Sequence, residues 1–262
     1  MKSFLITEQN VSIYAEQIAA WNRKCVEQAH VNGVALGMSG GIDCCVVARL
    51  CQLGNVDVHL ILMPYGDDME NSKSSEHAKE FIEKFKFPYH IFDIKPAVDA
   101  LTIQNETLHL PVNDGILELS RANIRPRVRM TYLYQFAQLN NRLVIGTGNF
   151  AERIVGYFTK WGDGACDFNP LAMLTKQEVR TLARYLEVPA CIIDKRPSAG
   201  LWEGQTDEDE LGMSYQQIDD YIISETSGNP EIDRKIEEKI LKSAHKLAPI
   251  PIFNASTISQ KV

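Results

Sequence analysis

The chain has 262 residues, 45% of them apolar and 23% charged, enough to bury a core without staples and too apolar for a disordered tail. Acidic residues outnumber basic ones 34 to 27, and the net charge of −7 argues against a partner gripped through phosphate charge, such as nucleic acid. Six cysteines without a C-x-x-C, and no apolar run long enough for a signal sequence or a membrane span, lead to the expectation of a cytoplasmic protein with free thiols.

Helical spacing of Val11, Ile13, Tyr14, Ile18, Trp21, Cys25, Val26 and Ala29 predicts an amphipathic helix that ends near Asn32-Gly33. A strand at 34–37 follows, then a helix at 43–53, a strand at 58–63, a helix at 74–85 and a strand at 89–94. Helices at 96–103 and 116–139 and a strand at 142–145 continue the alternation. Short apolar strands separated by helices predict an α/β fold: a doubly wound, mainly parallel sheet with helices on both faces, in a single domain over 1–262 with helical N- and C-terminal ends.

Beyond Gly146 the rhythm changes. Residues 159–170 carry glycines, a proline and charges of both signs without a period, and read as a functional loop. Thr175 and Glu178 have capping-box spacing, which predicts a helix from there to about Leu186, and Ser214 with Gln217 opens another. The stretches 106–115 and 198–212 read as mobile loops.

In an open parallel sheet ligands sit beyond the carboxyl ends of the strands. There the first strand runs into Gly37-Met38-Ser39-Gly40-Gly41-Ile42-Asp43-Cys44 and a helix. Adjacent glycines let the backbone approach an anion, Ser39 adds a hydroxyl, and the helix N-terminus offers N–H groups. No Lys-Ser/Thr follows the glycines, so this is not a Walker loop. Asp43 is placed to hold magnesium beside phosphates. The same glycines also suit a plain strand-to-helix turn.

SGGIDCC resembles the SGGxDS signature of the N-type ATP pyrophosphatases, which implies an adenine nucleotide alpha hydrolase-like fold and cleavage of ATP between its α- and β-phosphates. Cys44 stands where that family usually has Ser, and a thiol is the weaker hydrogen-bond donor. Gly156-Tyr157-Phe158-Thr159-Lys160-Trp161-Gly162-Asp163-Gly164, Asp167, then Asn169-Pro170-Leu171 and Leu174-Thr175-Lys176 are similar to a block carried by ammonia-dependent NAD synthetases. LMPYGDD, NIRPRVRM, GTGNFAE, RPSAGLW, ELGMSYQQIDDY and His245-Lys246 follow the same family in order.

The resemblance implies amidation of deamido-NAD to NAD with ammonia and ATP, through an acyl adenylate, with AMP and pyrophosphate released. It places Gly37, Met38, Ser39, Gly40, Gly41, Ile42, Asp43, Cys44, Thr147, Lys176 and Ser198 around ATP. Asp43 and Glu152 fall at Mg2+ positions, and Arg127, Lys160, Asp167, His245 and Lys246 at deamido-NAD positions near a homodimer interface. Asp163, Lys176 and Asp43 fall at catalytic positions, Asp163 as the carboxylate that helps deprotonate ammonium. Glutamine-using relatives add an amidase domain, and the single helix before the first strand here leads to the expectation of free ammonia.

Each of these residues also has a plain alternative, such as a solvated cation for Lys160 or a turn residue for Asp163. GTGNFA matches the dinucleotide pattern G-x-G-x-x-A, but Gly156, Gly162, Gly164 and Pro170 break the βαβ unit that a dehydrogenase needs. Two rivals remain at this stage: another ATP pyrophosphatase, such as a tRNA-modifying one, and a nucleotide binder that has lost turnover.

Overall fold

The computed structural model describes residues 5–66, 73–102, 113–197 and 206–253. Helix α1 (Val11–Gln28) buries Val11, Ala15, Ala19, Asn22 and Val26; of the face the sequence predicts, Val11 and Val26 are buried and Tyr14 and Ile18 half-buried, whereas Ile13, Trp21 and Ala29 are exposed, because small residues let α1 lie close to the core. Strand β1 (Gly33–Gly37) and helix α2 (Ile42–Leu53) follow, then β2 (Val58–Leu62), α3 (Lys73–Phe85), β3 (Tyr89–Ile91) and α4 (Lys95–Leu101). Helix α5 (Asp114–Leu139) leads into β4 (Arg142–Val144), and the chain closes with α6 (Phe150–Ile154), α7 (Lys176–Tyr185), α8 (Ala190–Ile193), α9 (Asp207–Leu211), α10 (Tyr215–Ser224) and α11 (Pro230–Leu247). No described helix is long and apolar enough to cross a membrane.

The strands form one parallel sheet in the order β3-β2-β1-β4, with Val34 opposite Val58 and Leu143, and Leu60 opposite Tyr89. Alternation along the strands fills two cores. Val34, Leu36, Val58, Leu60 and Leu62 pack with α1, α2, α3 and α7, whereas Ala35, Ile61 and Val144 pack with α4 and α5. A third core holds no strand: Ala151, Val155, Leu211, Met213, Tyr215, Ile218, Ile232 and Ile236 join α6, α10 and α11.

Several boundaries differ from the sequence reading. Strand β3 stops at Ile91, although Phe92 N and Ile94 N still donate to Leu62 O and Pro64 O, both at 2.9 Å. Strand β4 stops at Val144, and Ile145 bridges in parallel to Phe168, which draws the 159–170 loop onto the sheet edge. Helix α5 begins inside the stretch read as a loop at 106–115, because the Asn113 carboxamide accepts from Ile116 N at 2.8 Å and caps it. Likewise 206–212 is not loop but helix α9, capped by Thr206 and ended by Gly212 at φ 70°. The rest of those two stretches, 106–112 and 198–205, lies outside the described residues.

The capping boxes at Thr175/Glu178 and Ser214/Gln217 are both present. Helix α11 carries an Asn229 cap and Pro230 at its first position, a start signal the sequence reading left unused. Its N–H-free proline and the buried Ile232 and Ile236 seat it on the third core, where Ser243 leaves no room for a side chain at Gly156.

Candidate active site

Parallel pairing of β1 with β4 sets their two following loops side by side at the carboxyl edge of the sheet. In the first loop Gly40 adopts φ 74°, open to glycine at little cost. Gly41 caps α2 without a side chain, so the N–H groups of the first turn have no capping acceptor. Ser39 is exposed, and its Oγ accepts from Gly41 N at 3.3 Å. A turn of this kind presents backbone N–H groups that could receive an anion. Cys44 sits beneath it rather than in it: the thiol is buried, donates to Gly41 O at 3.1 Å and lies 3.5 Å from Ser39 Oγ.

In the second loop Gly146, Thr147 and Gly148 lead to Asn149, which caps α6. A side chain at Gly146 would collide with Cys166 Sγ at 2.6 Å, so only glycine lets the 159–170 loop lie against this turn. Asn149 is fully buried and works in three directions. Its Oδ1 accepts from Glu152 N at 3.0 Å, its own N donates to Glu152 Oε2 at 3.2 Å, and its Nδ2 donates to Asp43 Oδ1 at 3.0 Å.

Lys176 completes the cluster from a third segment. Its Nζ donates to Asp43 Oδ2 at 2.6 Å and to Glu152 Oε1 at 3.4 Å, with only 2% of the side chain exposed. Burial alone would lower the Lys176 pKa, but Asp43 and then Glu152 more than offset it and the ammonium is held above its ordinary value. For Glu152 burial wins over Lys176, and its carboxyl is raised.

The placement of Lys176 is itself specified by buried carboxylates. Asp219 accepts from Lys176 N at 3.1 Å and Gln177 N at 2.9 Å, and Glu178 takes Thr175 N at 2.8 Å along with Leu5 N and Ile6 N. Burial pushes the Asp219 carboxyl up to about 6 even against those two backbone bonds. Beyond Glu152 stands the Tyr215 hydroxyl, which burial and the flanking Glu152 and Asp207 keep protonated.

A second group forms around the 159–170 loop. Thr159 N donates to Asp163 Oδ1 at 2.9 Å, and Thr159 Oγ1 donates to Asn123 on α5 at 2.6 Å. Asp163 is exposed, and the bond from Thr159 N fixes its carboxylate against its own loop. Lys160 Nζ donates to His245 O at 2.6 Å, and Lys246 Nζ clasps Gly156 O and Phe158 O, both at 2.7 Å. Asp167 accepts from Val144 N at 2.7 Å and from the Tyr134 hydroxyl at 3.3 Å.

Of the three arginines of 125–129, Arg125 stacks on the Tyr65 ring at 4.0 Å and Arg129 Nε donates to Met63 O at 3.0 Å, both on the segment after β2, whereas Arg127 is exposed. Thus the structure brings Asp43, at the end of the 37–44 loop, together with Glu152 and Lys176, and Lys160, Asp163, the His245 carbonyl and Lys246 around one loop; Thr147 lies two residues before Asn149 in the second loop. Ser198 lies outside the described residues.

Sequence reasoning missed Asn149, Asp219, Asp207 and Tyr215. Asn149 had a signal, the Asn-x-x-Glu capping spacing in GTGNFAE, and Tyr215 and Asp219 lie within the block ELGMSYQQIDDY, which does not single them out; Asp207 had no local signal. Among the described residues no three His, Cys, Asp or Glu side chains form a metal cage. Asp43 and Glu152 instead bring two carboxylates to the Lys176 ammonium, oxygen donors of the kind that could hold a hard divalent cation.

Comparison with known proteins bears on the same region. The family model described as NAD synthase matches residues 14–249. A relative from Carboxydothermus hydrogenoformans, named NH(3)-dependent NAD(+) synthetase, is 41% identical over 234 residues, covering 88% of this chain and 93% of its own. Among solved structures, NMN synthetase from Francisella tularensis superposes with a TM-score of 0.83 at 36% identity, covering 93% of this chain and 99% of its own. NH3-dependent NAD synthetase from Campylobacter jejuni gives a TM-score of 0.75 at 28% identity, covering 95% and 100%.

Proposed function

The chain belongs to the NAD synthase family, and we propose that it amidates the nicotinate carboxylate of deamido-NAD with ammonia at the expense of ATP, as the last step of NAD synthesis. The observation that carries this reading is the meeting of a backbone anion cradle with the buried cluster Asp43, Asn149, Glu152 and Lys176.

A carboxylate resists attack by ammonia because oxide is a poor leaving group. Transfer of the adenylyl group from ATP makes it a mixed anhydride, with pyrophosphate released; ammonia then forms the amide and AMP leaves. Residues 37–44, with Thr147 and Ser198, are read as holding the ATP phosphates and nucleotide. The cradle supplies N–H donors that need no reorientation as charge develops on phosphate oxygens. Lys176 is read as the buried ammonium beside those phosphates, kept charged by Asp43. Asp43 and Glu152 would hold Mg2+, whose chemistry is to neutralise and orient the pyrophosphate leaving group.

Arg127, Lys160, Asp167, His245 and Lys246 are read as the deamido-NAD side. Asp163 is read as the carboxylate that takes a proton from ammonium; it is exposed, and the bond from Thr159 N holds it in place. A homodimer belongs to the same reading, supported by Ile116 and Leu119, both exposed on one face of α5. A cytoplasmic location is supported by six free cysteines.

A second reading keeps the chemistry and changes the acceptor to nicotinate mononucleotide, favoured by the superposition on the Francisella tularensis NMN synthetase. The test supplies ATP and Mg2+ with either acceptor and either ammonium or glutamine, and scores AMP and pyrophosphate. Amide formed from deamido-NAD with ammonium alone supports the first reading. Preference for the mononucleotide moves the assignment to the second, and ATP binding without turnover defeats both.

A further inference from the structure

Glu152 is also gripped from the helices that follow the last strand. The Tyr215 hydroxyl stands 3.3 Å from Glu152 Oε1 and 2.9 Å from Asp207 Oδ2. The other oxygen of Asp207 accepts from the Tyr157 hydroxyl at 3.1 Å, and that hydroxyl also reaches Glu210 Oε2 at 2.5 Å. Side chains from α6, the turn after it, α9 and α10 so form one hydrogen-bonded line from the edge of the cluster into the third core. Its middle members are buried, Tyr215 at 1% exposure and Asp207 at 6%. The same Tyr215 ring lies 4.9 Å from the Lys176 ammonium, so one side chain touches two members of the cluster.

Packing alone does not call for this arrangement. A phenylalanine would fill the volume of Tyr215, and an apolar residue at 207 would avoid burying a carboxylate, which is costly unless hydrogen bonds satisfy it. The Tyr215 hydroxyl has one proton for two carboxylate neighbours. Asp207 and Glu152 share it, so the orientation of each depends on the other.

We propose that Tyr215 and Asp207 are positioning residues for the reaction: they fix the Glu152 carboxylate beside Asp43 and Lys176 in the orientation that receives a divalent cation with the ATP phosphates. Docking of α9 and α10 onto α6 thereby becomes a condition for metal–nucleotide binding. This rests on the reading above only for ATP and a divalent cation at the site, and not on the acceptor or the nitrogen source.

The test is Mn2+ binding to the full chain in the presence of α,β-methylene ATP, followed by electron paramagnetic resonance, with no acceptor present. Tyr215→Phe keeps the ring beside Lys176 and removes only the hydroxyl. The loss of one hydrogen bond to a charged group predicts Mn2+ binding roughly tenfold weaker. Asp207→Ala is expected to weaken it to a similar degree, and the double variant to be no weaker than the weaker single, because both act through one link.

In turnover assays the KM for the metal–ATP complex rises while kcat and the acceptor KM hold. Should Asp207→Ala fail to fold, Tyr157→Phe takes its place one link further out, with a loss of about threefold expected from a single more distant bond. Mn2+ bound as tightly by Tyr215→Phe as by the parent, or losses that add in full in the double variant, overturns the positioning role alone. A parent protein that binds no Mn2+ with the nucleotide overturns both this role and the functional reading.

Discussion

The two sides of the candidate site are built by different means. On the sheet side, the loop after β1 is made of backbone: two adjacent glycines, a helix N-terminus without a capping side chain, and Cys44 tucked beneath. On the helical side, α6, α7, α9 and α10 contribute buried side chains whose value lies in their mutual hydrogen bonds. The comparison teaches that a parallel sheet sets the open backbone turn and the Asp43 carboxylate that follows it, whereas the side chains gathered around that carboxylate come from helices added after the last strand. A backbone cradle tolerates side-chain exchange below it; a buried polar cluster does not, because any member removed leaves another unsatisfied.

Four changes sharpen or break this contrast. Asp43→Ala belongs to both sides and should have the largest effect: Lys176 loses its nearest carboxylate and Asn149 its acceptor, and kcat/KM should fall by about three orders of magnitude or more, in line with loss of a group that acts directly on the transition state. Near-normal turnover by that variant would refute the assignment of the site.

Gly156→Ala tests the helical side through its packing. A Cβ there would stand 2.0 Å from Ser243 Cβ at a φ of 66°, so α11 must shift. Overpacking with a left-handed backbone should cost about 2–4 kcal/mol, measured by urea unfolding. A cost under about 1 kcal/mol would mean that α11 is not a fixed part of the site.

Asp219→Asn probes the seat of Lys176. Burial raises the Asp219 carboxyl to about 6, above its unfolded value, so the folded state holds the extra proton between the two. The stability this contributes is full below about pH 4 and is lost as the pH rises through about 6. The variant should therefore lose less stability than the parent between pH 4 and 7, as read from urea midpoints at both. An equal pH slope in the two proteins would show that Asp219 does not titrate in this window.

Cys44→Ser should have the smallest effect. The hydroxyl can keep the bond to Gly41 O, and activity should stay within about threefold of the parent or rise, since that bond is worth little net. A large loss would mean that the cradle depends on the side chain beneath it.

Much of the sheet side is legible in the sequence. Periodicity locates α1, α2, β1 and β2 to within a few residues, the glycines mark the cradle, and Thr175/Glu178 and Ser214/Gln217 announce two helix starts. These are signals between neighbours, where burial period and caps act within a few residues. Less is legible on the helical side. Helix α6 has five residues and α9 has five, too short for a period to register, so 206–212 reads as an acidic loop until Thr206 is seen capping it.

By itself, then, the amino-acid order determined the alternation of strands and helices, the glycine cradle and the family to which the chain belongs. Only the tertiary structure decided which charges meet. Lys176 finds Asp43 across 133 positions, Asn149 finds Asp43 across 106, and Tyr215 finds Glu152 across 63. The physical reason is that a buried polar group must be satisfied by whichever partner the packed helices bring within about 3 Å, and that proximity is set by how whole elements dock rather than by any spacing along the chain.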